Sequence, residues 1–192
     1  LIFLVFILLS TLIGTIIFGY VGDTLFKKGN KKARVIIALM SNLLPIPFVF
    51  IAFMLPFKAP DNASLIYVFL IPGAIIMLVL LVIGLFLNGG TNGNWYGCVA
   101  DVNLPEHRGT VLATANFFDI LGRALGPLIG AFITDAFGIL YGMMVSIVFW
   151  CFLPFFWIPV MKNIVQEMEK TEEVFLERLK QIDKDVKTKI SD

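Results

Sequence analysis

The stretch 101-DVNLPEHRGTVLATANFFDILGRALGP-127 joins a short charged loop to an apolar run that carries Asp119 and Arg123. Read outward to Thr134, the run from Thr110 is long enough for a helix across a bilayer, with the two charges about midway. A charge at the bilayer centre costs roughly 2.5–3.5 kcal/mol on insertion scales, so such residues are retained where they face a protein interior or a watery cavity. The run fixes the class of chain and marks the first place to look for a site.

Hydrophobic residues make up 58% of the chain and charged residues 15%, the latter gathered into a few loops and the C-terminal end. This is the composition of a polytopic membrane helix bundle, an all-α fold. About 20 helical residues cross the hydrocarbon core, and five segments qualify: residues 1–20, 35–57, 65–101, 110–134 and 139–161. The chain opens on Leu1 with no charged region before its apolar residues, which does not suit a signal peptide. The expectation is a C-terminal piece of a longer chain.

Basic residues alternate by side. The first loop holds Lys27, Lys28, Lys31, Lys32 and Arg34, the third holds His107 and Arg108, and the stretch after Met161 is again rich in Lys. The second loop has Lys58 with Asp61, and the turn after the fourth helix has only Asp135. The positive-inside rule then places the first loop, the third loop and the C-terminus in the cytoplasm. Asn62-Ala63-Ser64 is a glycosylation sequon on the outer side, read as a chance occurrence.

The second and fifth segments are nearly unbroken apolar sequence that can face lipid, the second bent by Pro45 and Pro47. The third differs. Gly89, Gly93 and Gly97 recur at a spacing of four, which lets another helix approach closely, and Asn88, Asn92 and Tyr96 form an adjacent polar stripe toward a cavity, the alternative being that the chain from Asn88 onward is cytoplasmic loop. A single helix over 65–101 would measure about 55 Å, more than the bilayer needs, so a break is expected at Gly89-Gly90.

The fourth segment repeats the arrangement with Gly122, Gly126 and Gly130 on one face. Asp119 and Arg123, four apart, can pair, and Pro127 removes the amide that would bond the Arg123 carbonyl. Two readings stand level: a structural ion pair between helices, and a site for a solute or a proton. In the first segment Thr11 and Thr15 are expected to bond back to their own helix. Residues 162–192, with seven basic and eight acidic side chains and Phe175, Leu179, Ile182 and Val186 at helical spacing, predict an amphipathic cytoplasmic tail helix.

No nucleophile stands with a base, and neither a metal cluster nor a cofactor motif is present; the single His107 sits in a loop. The sequence predicts no enzyme, no cofactor and no nucleic-acid partner. Against transport stands a membrane scaffold or sensor that works through its tail.

Taken together, the alternation of helix types, the basic loop and PEHRG before the fourth segment resemble the C-terminal half of the major facilitator superfamily of transporters. The first loop resembles that family's G-x-x-x-D-R-x-G-R-R signature, with Gly19, Asp23, Gly29, Lys31 and Lys32 at corresponding places; Thr24 replaces a basic residue and three extra residues precede Gly29. Asp101, Pro105, Glu106, Arg108, Gly109, Asn116, Gly122, Gly126 and Pro127 match the stretch between the family's tenth and eleventh helices. The resemblance implies that the five spans are helices eight to twelve of twelve, with eight, ten and eleven lining the cavity and nine and twelve outside. It further implies a cytoplasmic charge network of Asp101, Glu106 and Arg108, a missing N-terminal half as partner, and a secondary transporter in the cell membrane that moves a small solute, with a proton as the candidate coupling ion.

Overall fold

A computed structural model describes residues 2–55 and 71–191, and among these every regular element is a helix. Helix α1 spans Ile2–Lys27 and stops at Gly29, whose φ of +97° few other residues adopt. There the Gly29 amide donates to Phe26 O and the Asn30 amide to Leu25 O, the pair of bonds that closes a helix C-terminus. Thr11 and Thr15 donate to the carbonyls of Ile7 and Thr11, so these hydroxyls are satisfied within α1.

Helices α2 (Ala33–Leu43) and α3 (Pro45–Met54) form one span broken at Leu44. Pro45 has no N–H for the Ser41 carbonyl, and the Asn88 side chain donates to that carbonyl instead, at 3.4 Å. The end of this span, the start of the third segment at Leu65, Lys58, Asp61 and the sequon lie outside the described residues.

The third segment is helix α4 (Pro72–Asn88) followed by α5 (Gly90–Asp101), with Gly89 between them. Leu104 is extended ahead of Pro105, which opens α6 (Pro105–Phe137); this helix runs unbroken through Pro127. Gly138, at φ +97° and ψ 162°, makes the turn into α7 (Ile139–Ser191), which continues without interruption through residues 161 and 162. Among the described residues five helical stretches are thus long and apolar enough to cross a membrane.

Packing departs from the expectation that the second span lies outside. It is the most buried of the five, with Val35, Ala38, Ser41, Asn42, Pro45, Val49 and Ala52 enclosed, because α2 is wedged among α1, α5 and α7. Its small residues, not its hydropathy, decide this: Ala38, Ser41 and Ala52 let neighbours come close. Helix α6 is the reverse, with no buried residue and its packing chiefly on α7. The main core joins Val35, Ala38, Cys98 and Trp157 to Ile164 and Met168, so the first turns beyond residue 161 belong to the bundle.

Candidate functional site

Two clusters gather the polar side chains. The first lies at the end of the bundle that carries the α1–α2 and α5–α6 loops. Arg34, with a side chain only 15% exposed, is held from both sides: its Nη2 is 2.7 Å from Asp23 Oδ1, and its Nη1 donates to Asp101 Oδ2. The Phe26 ring lies 4.3 Å from the guanidinium, adding a cation–π contact. Three separate helices thereby meet at one planar cation, which suits the forked donor geometry of arginine.

Arg34 is the residue that sequence reasoning passed over, since it closes a run of lysines that look alike. Asp23 and Asp101 take part in the network, but Glu106 pairs with Arg178 of α7 and Arg108 donates from Nε to Asn103 O at 3.1 Å. Arg108 therefore pairs with neither of the carboxylates proposed for it, because its side chain turns back onto the end of α5. Lys31 reaches Glu169 at 3.3 Å, and the Thr171 hydroxyl donates to Val102 O at 3.0 Å. Gly19 lies near Gly93 in the contact between α1 and α5, Gly29 ends α1, and Lys32 donates its backbone amide to Asn30 Oδ1.

The second cluster is a cleft of about 470 Å³ bounded by α2, α5, α6 and α7. Asn42, Thr91, Asn92, Tyr96 and Asp119 supply its polar lining, and Trp95, Leu153, Phe156, Trp157 and Val160 its apolar walls. Trp95 and Trp157 meet edge to face with centroids 5.7 Å apart. Tyr96 donates to Asn116 Oδ1 at 2.5 Å, tying α5 to α6 across the cleft.

Asp119 and Arg123 form a two-pronged pair, with Nε–Oδ1 at 3.1 Å and Nη2–Oδ2 at 2.9 Å. Their side chains are 47% and 69% exposed. Since both sit on α6, the pair ties no two helices of this chain together. Asp119 lines the cleft; Arg123 does not.

Of the stripe read along the third segment, Asn92 and Tyr96 line the cleft and Asn88 does not, for its amide is committed to the carbonyl that Pro45 leaves free. Asn42 and the α7 aromatics are additions to the site from spans assigned to the outside. A signal for Asn42 was present, as an amide among apolar residues of a membrane span needs a reason. Asn94, 1% exposed, is structural: its Nδ2 donates to Phe18 O and Gly90 O, holding α5 on α1.

Compared with known proteins, the sequence matches no family model, and no curated protein or solved structure matches it.

Proposed function

We propose that this chain is the C-terminal part of a major-facilitator-like secondary transporter, which moves a small solute across the cell membrane by alternating access, with its C-terminus in the cytoplasm. The observation that carries the reading is the cleft where Asn42, Asn92, Tyr96 and Asp119 converge from three helices. Polar groups gathered within apolar spans suit a solute path better than lipid-facing surface. The packing supports motion as well. Helix α6 is joined to the rest through α7 and the Tyr96–Asn116 bond and buries no residue of its own, so it can tilt without dismantling the core.

Full-length protein in proteoliposomes tests this. Uptake from a broad solute panel is expected, and Asp119→Asn should lower it by about tenfold or change its response to a proton gradient. Absence of flux from verified folded protein would count against transport.

The scaffold reading is favoured by one observation: Phe175, Leu179, Ile182 and Val186 remain exposed along α7. Truncation after Thr171 separates the two, because it removes that stripe and spares the buried Ile164 and Met168. Transport predicts that flux survives this truncation and fails with Asp119→Asn, and a scaffold predicts the reverse.

A further inference from the structure

Resting on the reading of the cleft as a solute site, we infer that it takes a small organic cation with an aromatic or apolar body, bound against the aromatic wall of Trp95, Tyr96, Phe156 and Trp157 and neutralised by Asp119.

The charge of the lining points one way. Asp119 is the only charged residue among those that line the cleft, while its partner Arg123 lies outside them. The walls are Trp95, Tyr96, Phe156 and Trp157, and ring faces attract cations, more strongly where water is excluded. A carboxylate beside aromatic walls is the chemistry of ammonium and pyridinium recognition. An anionic solute would meet the carboxylate and the negative faces of the rings.

A sugar or other polyol is served less well than a cation for a different reason. It needs several uncommitted hydrogen-bond partners, since each hydroxyl desolvated without one is costly. Here the buried Thr91 hydroxyl is without a partner, but the Asn42 amide already donates to Ala38 O at 2.8 Å, the Tyr96 hydroxyl is given to Asn116, and both Asp119 oxygens hold Arg123. A cation needs no new acceptor. It replaces Arg123 beside Asp119, one positive charge for another. A volume of about 470 Å³ falls in the range for ligands of one or two rings.

The exchange makes a prediction of opposite signs. Full-length protein in phosphatidylcholine nanodiscs is titrated by calorimetry with three probes of one shape: N-methyl-4-phenylpyridinium, neutral 4-phenylpyridine and 4-biphenylcarboxylate. The cation should bind about tenfold more tightly than the neutral probe, and the carboxylate most weakly. Asp119→Asn should abolish the preference for the cation, whereas Arg123→Gln, which frees Asp119, should strengthen cation binding. A structural role for the pair would move both variants in the same direction.

Equal binding of the three probes, preference for the carboxylate, no cation binding by monodisperse protein, or weakening by Arg123→Gln overturns the inference. Its failure is distinguishable from that of transport. Cation binding without flux supports the cation class and sinks the transporter, and flux of sugars or anions without cation binding does the reverse.

Discussion

The third and fourth segments carry the same device, glycines four residues apart, and among the described residues only one of them is used. Along α4 and α5 the glycine face is closed. A Cβ on Gly89 would lie 2.5 Å from Thr11 O and 2.7 Å from Thr15 N, one on Gly93 would touch Gly19 Cα at 3.6 Å, and one on Gly97 would sit 2.9 Å from Arg34 Cδ. Along α6 a Cβ on Gly122, Gly126 or Gly130 would meet nothing within 4 Å among the described residues. Spacing thus states what a face permits, and a partner decides whether the permission is used. For Gly89 and Gly93 the partner is α1, whose own Gly14 and Gly22 receive Phe86 O of α4 and the Asn94 side chain of α5, and for Gly97 it is Arg34 of α2.

The largest effect should come from closing that contact. Gly89→Ala drives a methyl group into backbone atoms of α1 that have no rotamer to yield, so α1 and α4 must move apart. Overpacking of this kind costs about 3 kcal/mol. Thermal unfolding in detergent should show a large fall in Tm or loss of monodisperse protein, and an unchanged Tm would mean that α1 does not sit on this face.

A smaller loss is expected at Arg34, where Gly97 leaves room for the guanidinium between Asp23 and Asp101. Arg34→Gln leaves Asp101, only 19% exposed, without its cation, a cost of about 2 kcal/mol given partial solvation. Adding Asp101→Asn should restore part of that loss, since neighbours in one network are not additive. Equal and additive losses in the two single variants and the double variant would break the network as described.

Much of this was legible in sequence. The five long apolar runs, the break at Gly89-Gly90, the bend at Pro45 and the back-bonded Thr11 and Thr15 each follow from local chemistry, where a missing N–H or a short hydroxyl side chain acts on its own helix. Asp119, Asn92 and Tyr96 also stood out, as polar groups in an apolar run must answer for their cost. The packing order was not legible. Hydropathy cannot tell a lipid-facing apolar helix from a central one, so α2, Asn42 and Trp157 were assigned to the outside, and their positions depend on which helices touch α2. Arg34 was hidden for a similar reason, as one cation among five whose partners lie 11 and 67 residues away. The tail was read as separate because its charges begin at Lys162, yet helix geometry turns Ile164 and Met168 onto the core through the charged stretch.

The smallest effect decides what the open glycine face of α6 is for. Gly126 has a helical backbone and no neighbour to clash with a methyl group, so in this chain alone Gly126→Ala should stabilise α6 by about 0.5–1 kcal/mol, the helix-propensity difference. If the other half of a transporter packs on this face, the same methyl group meets a helix there and the sign reverses. The measurement is the same substitution made twice, in the 192-residue chain and in the longer protein that the proposed function implies, with unfolding followed in the same detergent. Stabilisation in the first and destabilisation in the second would show α6 to be the contact between halves. Stabilisation in both would leave the face to lipid and remove the packing argument for a second bundle.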